Sequence, residues 1–136
     1  MSQSATLVLL DRYYTAFNAG DADGMLRCLS DDVVHDINQG ARQEGKDAFR
    51  EFLAHMDRCY AERLEGIVTM ASTDGTRGSA EFVVHGEYKR TDEGLPEATG
   101  QKYVLPAGAF FDIDNGLIAR VTVYYNLADW TAQVEG

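Results

Sequence analysis

Only two cysteines, two prolines and one tryptophan occur in 136 residues, and basic side chains are scarce, with 12 Lys and Arg against 22 Asp and Glu for a formal charge of -10. Each shortage excludes something. Cys28 and Cys59 sit in predicted helices without metal-type spacing, so neither a disulfide framework nor a thiolate cluster is expected, only two half-buried reduced thiols. Nucleic acid and anionic membranes both require clustered Lys and Arg, so neither is expected as a partner. Long apolar runs are missing too, because Asp11 and Arg12 interrupt Leu7 to Leu10. Met1-Ser2-Gln3-Ser4 carries no basic segment leading into such a run, so we expect no signal peptide, no membrane span and a cytoplasmic location. His35, His55 and His85 are far apart in sequence, which suggests no metal site. No phosphate loop, dinucleotide glycine fingerprint or serine elbow is present, and no cofactor is expected.

What is present reads as one domain over residues 1–136, long enough to bury about two-thirds of its unfolded surface. Leu7, Leu10, Tyr14 and Phe17 recur at helical spacing, and Gly20 falls where a left-handed cap is cheapest. Asp21 can cap a second helix carrying Met25, Leu26 and Leu29. Asp31-Asp32 interrupts it before a β-branched run that contains His35 and Asp36. Asn38-Gln39-Gly40 is a turn signal, and Gly45-Lys46-Asp47 leads into a third helix with Phe49, Phe52, Leu53 and Met56 on one face. Strands are expected at Leu64 to Ser72, Ser79 to Arg90, Tyr103 to Ile113 and Leu117 to Tyr125, with turns at Asp74-Gly75 and Asp114-Asn115-Gly116. Asn126 to Val134, with Trp130, reads as a short helix or an ordered tail. The sum is an α+β cone, with three N-terminal helices packed on a curved, mostly antiparallel sheet that encloses a pocket.

The runs Tyr-x-x-Ala-Phe-Asn-Ala-Gly-Asp (13–21), Met-Leu-x-x-Leu-x-Asp-Asp-Val-Val (25–34) and Gly45-Lys46-Asp47-Ala48-Phe49-Arg50-Glu51-Phe52 resemble the ketosteroid isomerase and SnoaL-like branch of the nuclear-transport-factor-like superfamily. The resemblance covers nearly the whole chain and implies the same cone. That scaffold hosts isomerases, cyclases, epoxide hydrolases, dehydratases and binding modules, so it does not fix the reaction.

In the isomerases a first-strand carboxylate moves a proton, while a first-helix tyrosine and a protonated aspartate stabilise the enolate. Tyr13 falls on the tyrosine position and is expected to donate a hydrogen bond to a developing oxyanion. Its other reading is a core tyrosine with its hydroxyl at the surface. Asp36 is favoured as the base, although an ungapped alignment puts Ile37 there; neighbours on a strand face opposite ways, so only one of His35 and Asp36 should enter the pocket. Asn38, on the side of Asp36, either orients that carboxylate or merely opens the turn. Aligning Val104 to Phe110 with the isomerase strand puts Gly108 where the second oxyanion aspartate belongs, which removes half of the oxyanion hole. Epoxide hydrolases of this scaffold use an aspartate-arginine-aspartate relay whose arginine the sequence does not identify.

Phe17, Phe52, Met56, Phe82, Val84, Phe110, Val121, Val123, Tyr125 and Trp130 are expected as pocket wall or core. Val83, His85, Thr122 and Tyr124 are assigned to the outer face, where related proteins dimerise. Two functions follow. One is a cofactor-independent enzyme acting on a small, largely apolar carbonyl-type ligand by acid/base proton transfer, with Asp36 and Tyr13 converging on one cavity. The other is a non-catalytic module that binds a small apolar or amphipathic molecule or serves dimerisation.

Overall fold

A computed structural model describes residues 2–37 and 40–136 of the chain. Four helices, α1 (Gln3–Asn18), α2 (Ala22–Leu26), α3 (Lys46–Cys59) and α4 (Leu127–Glu135), lie against one curved, unclosed sheet. Its strands are β1 (Leu29–Asp36), β2 (Gln43–Glu44), β3 (Tyr60–Ala71), β4 (Arg77–Tyr88), β5 (Lys102–Asp114) and β6 (Leu117–Tyr125). They are ordered β2-β1-β6-β5-β4-β3, and every pairing is antiparallel except β1 with β6.

Local chemistry sets the boundaries. The Ser2 and Asp21 side chains accept hydrogen bonds from the backbone N–H groups of Ala5 and Gly24, which caps α1 and α2. Asn126 caps α4 by accepting from the Asp129 N–H. Asp47 and Arg58 occupy the first and last turns of α3, where the helix dipole favours an acid and a base respectively. Asn115 and Gly116 both have positive φ, 51° and 75°, as the expected β5–β6 hairpin turn requires. Asp74 organises the β3–β4 turn by accepting from Ser72 Oγ, Thr76 N and Thr76 Oγ1, and these bonds hold its carboxyl down at about 2.

Two boundaries differ from the sequence reading. β3 begins at Tyr60 rather than Leu64, because Tyr60 and Glu62 pair with Tyr88 and Gly86 and so extend the inner face of the strand. β1 begins at Leu29, ahead of Asp31-Asp32, whose exposed carboxylates coincide with a register shift between Leu29 and Val34. The two-residue strand β2 has no sequence signal of its own. The interior between helices and sheet is filled by Leu10, Leu29, Val33, Phe49, Phe111 and Ile118, all essentially inaccessible. No helix among the described residues is long and apolar enough to cross a membrane.

Candidate functional site

The pleat of β1 separates the two residues that the sequence left in competition. His35 pairs with Val121 and Asp36 with Thr122, and paired residues in a parallel ladder share a face. His35 is 3% exposed and lies between the rings of Phe49 and Phe52, with centroids at 4.6 and 4.5 Å. Burial lowers its pKa to about 4, against an opposing pull from Asp36, so the imidazole is neutral at physiological pH. Its Nδ1 is buried without a hydrogen-bond partner among the described residues.

Asp36 is on the other side, and its expected role as an interior base is corrected by this placement. Its two oxygens accept from Arg42 Nε and Nη2 at 2.6 and 3.0 Å, and Oδ2 also accepts from Thr122 Oγ1 at 2.9 Å. Those bonds, the one from Arg42 foremost, hold its carboxyl below the usual range. The network continues from Thr122 through Arg120 to Asp112, which also pairs with Arg77 at 2.9 Å. An aspartate-arginine-aspartate set is therefore present, but it lies on the outer face. A carboxylate paired in this way is a weaker base than one free in water.

Two further expected pocket residues also face outward. In β5 the odd-numbered residues oppose the inward Phe82 and Val84, so Gly108 pairs with Glu81 and Tyr124, and Phe110 with Ser79 and Thr122. Phe110 is 48% exposed and meets Tyr124 edge-on at 5.6 Å. The residues of β5 that face inward near this level are Ala107 and Ala109. Phe82, Val84, Val121 and Trp130 are buried in the core as expected, with Phe17, Phe52, Met56, Val123 and Tyr125 partly buried around it. Asn38 lies outside the described residues.

Tyr13 is also inside, its ring edge-on to Tyr14 and Phe111 at 5.2 and 5.8 Å. Burial, with the nearby Cys28, raises its pKa strongly. Asp36 and Tyr13 do not converge, because the carboxylate is on the opposite face of the sheet.

The interior does hold a different ionisable group. Glu62 of β3 points inward opposite Gly86, and its Oε2 accepts a 2.5 Å hydrogen bond from Tyr103 Oη of β5. Tyr103 reaches across β4 only because Gly86 has no side chain: a Cβ there would lie 2.2 Å from the tyrosine ring. Burial raises the pKa of Glu62, with Tyr103 partly opposing the shift. Trp130 of α4 packs on Tyr60, Tyr88 and Tyr103, with centroids at 6.2, 5.1 and 6.0 Å. Tyr125 of β6 is held protonated by burial and then by the nearby Glu62 and Asp92. Tyr60 donates to Asp92 Oδ2 at 2.7 Å, and His55 Nε2 lies 2.9 Å from Asp92 Oδ1. Hydrogen-bonded ionisable side chains are thus concentrated where α3, α4 and residues 89–101 meet the sheet. The sequence signal that could have found Glu62 is its alternation with Tyr60 and Leu64, opposite the bare Gly86.

A curved, unclosed sheet wrapped on helices, with polar groups on its inner face, defines the nuclear-transport-factor-2-like class. Residues 10–121 match the SnoaL-like domain, and the chain belongs to that family. Two similar solved structures are described as candidate polyketide cyclases. One, from Pseudomonas putida KT2440, is 62% identical with a TM-score of 0.92, over 93% of this chain and 95% of that one. The other, from Xanthomonas campestris, is 55% identical with a TM-score of 0.94, over 97% and 98%. An epoxide hydrolase-like protein of M. tuberculosis shares the fold at 16% identity, with a TM-score of 0.72 over 98% and 91% of the chains. No curated protein matches the chain significantly.

Proposed function

We propose that the chain is a cofactor-independent enzyme of the cyclase or isomerase type, moving a proton on a small, largely apolar carbonyl-type ligand within the cone. The observation that carries this reading is Glu62, an inward carboxyl whose pKa is raised by burial and which a tyrosine orients. A carboxylate with a raised pKa is a stronger base than one in water, and carbon acids next to a carbonyl require such a base. Glu62 takes the proton, and the enolate oxygen receives a hydrogen bond from a buried phenol of the interior. His35, neutral and inward, is a second interior group able to donate or accept. The candidate-cyclase descriptions of relatives above 50% identity support this class of chemistry.

The test is a thermal-shift titration with polycyclic phenols, ketones and terpenoid epoxides, since a ligand of the native state raises its melting temperature. At least one phenol or ketone is expected to stabilise the wild type and Asp36→Asn alike. A shift abolished by Asp36→Asn would return the site to the outer carboxylate, and no shift with any compound would favour the non-catalytic module. That second reading draws on Asp36, which is committed to the network with Arg42 and Thr122.

We further propose that the outer face, with Phe110, Tyr124 and Val104 about half exposed, joins two copies of the chain. A micromolar sample should sediment as a dimer and Tyr124→Glu as a monomer; a strictly monomeric wild type contradicts this.

A further inference from the structure

α3 carries His55 and Cys59 four residues apart, so helical geometry puts imidazole and thiol on one face. Asp92, 33 residues further on from Cys59, reaches the same spot from the connection that follows β4. One ligand atom from each residue lies within 4.8 Å of the other two. We propose that His55, Cys59 and Asp92 form a binding site for a zinc-class divalent cation, clasping residues 89–101 to the end of α3.

The donor set suits that ion. Imidazole nitrogen, thiolate sulfur and carboxylate oxygen are the ordinary zinc ligands, and three protein ligands with one open position make a recognised arrangement. Around zinc at about 2.0–2.3 Å, the ligand atoms of a tetrahedral site stand roughly 3.3–3.7 Å apart. His55 Nε2 and Asp92 Oδ1, 2.9 Å apart, must open slightly to reach that spacing, and all three ligand atoms already lie within 4.8 Å of one another. Binding requires the Cys59 thiol to lose its proton to solvent and His55 to bind as the neutral ring, with Nε2 free and the proton on Nδ1.

Two observations show that the cluster is held in place rather than adjacent by chance. The first is the carboxylate's outer oxygen: Tyr60 Oη donates to Asp92 Oδ2 at 2.7 Å, which leaves Oδ1 facing His55. Metal-binding carboxylates are commonly fixed in this way by a second hydrogen bond. The second is the backbone. The Cys59 carbonyl accepts from the N–H groups of Lys89 and Arg90 at 2.7 and 3.2 Å, and the Asp92 N–H donates to Tyr88 Oη at 2.9 Å. The imidazole side chain is 41% exposed, so an ion has a path in, while Cys59 closes the inner side.

The experiment is a cobalt titration of the full chain, followed by zinc competition. A bound cobalt ion should give the near-ultraviolet charge-transfer band of a metal–thiolate bond, at one ion per chain, reversed by zinc. Cys59→Ser should abolish the band. Cys59→Ser and Asp92→Asn should each weaken zinc binding by more than the roughly 10–100-fold expected for loss of an outer partner such as Tyr60 in Tyr60→Phe. Cys28→Ser, at a thiol outside the cluster, should leave both unchanged. Absence of the band in the wild type, its survival in Cys59→Ser, or zinc binding unaltered in Asp92→Asn would overturn the proposal. Failure of this site would leave the Glu62 reading intact, because the thermal shifts with phenols and ketones do not require the cation.

Discussion

Glu62→Gln is expected to slow solvent-deuterium incorporation into a bound ketone by roughly 10²–10⁴-fold, the contribution of a positioned general base. The substitution keeps the size of the side chain and an oxygen able to accept from Tyr103, so the fold and the ligand-induced thermal shift should survive while proton transfer fails. Gly86→Ala offers a second route to the same group. Its Cβ would stand 2.2 Å from the Tyr103 ring and must push it off Glu62. Overpacking of this kind costs about 1–3 kcal/mol, and the lost hydrogen bond to a carboxyl adds about 1–2 kcal/mol. Thermal unfolding together with the exchange assay checks both variants. Wild-type exchange rates in Glu62→Gln would remove Glu62 from the reaction.

Acid sensitivity should trace to His35. Its folded pKa of about 4 lies below the ordinary 6.5, so between those values the unfolded chain binds a proton that the folded chain refuses. Stability therefore falls as pH drops from about 6.5 to about 4, by about 3 kcal/mol for this group alone. Glu62 has the opposite sign: its raised pKa makes the folded chain the better proton binder, so its contribution is lost as pH rises through the folded value. The depressed carboxyls of Asp36, Asp74 and Asp112 contribute stability that is lost at lower pH, as each is protonated below the ordinary aspartate value. Comparing wild type with His35→Leu by denaturant unfolding between pH 4 and 7.5 isolates the histidine. The variant should lose most of the slope in that window. At pH 7.5 it should be no less stable, since it also removes a buried nitrogen without a partner among the described residues. An unchanged slope would contradict the assignment.

The fold was legible because its signals are periodic and local. Helical spacing in α1 and α3, the Asp114-Asn115-Gly116 turn and the alternation of β4 and β6 each point to one arrangement, and the inward Phe82, Val84, Val121 and Val123 followed from them. The site was harder to read, because facing in a strand changes completely with a shift of one residue. The alignment points Gly108 inward and Phe110 reads as pocket wall or core, whereas pairing with β4 and β6 turns both out. At β1 the same one-residue ambiguity put Asp36 in the role of base. The partners that hold it outside, Arg42 and Thr122, are 6 and 86 residues away. Glu62 was obscured by its polarity: in the sequence it reads as part of the boundary between a helix and a strand. Its burial depends on a glycine 24 positions on and a tyrosine 41 positions on. The cluster of His55, Cys59 and Asp92 is likewise a product of the tertiary fold, with only the i, i+4 pair visible along the chain.

In the proposed reaction the proton-transfer group of this SnoaL-like chain is Glu62, an interior carboxyl on β3, rather than the first-strand carboxylate of Asp36. The most direct measurement is a carbon-13 NMR titration of the side-chain carboxyls, with Glu62 assigned by its absence from the spectrum of Glu62→Gln and Asp36 by its absence from that of Asp36→Asn. Glu62 should titrate above the ordinary glutamate value and Asp36 below the ordinary aspartate value. A Glu62 that titrates at or below its ordinary value, beside an Asp36 that titrates above its own, would contradict it.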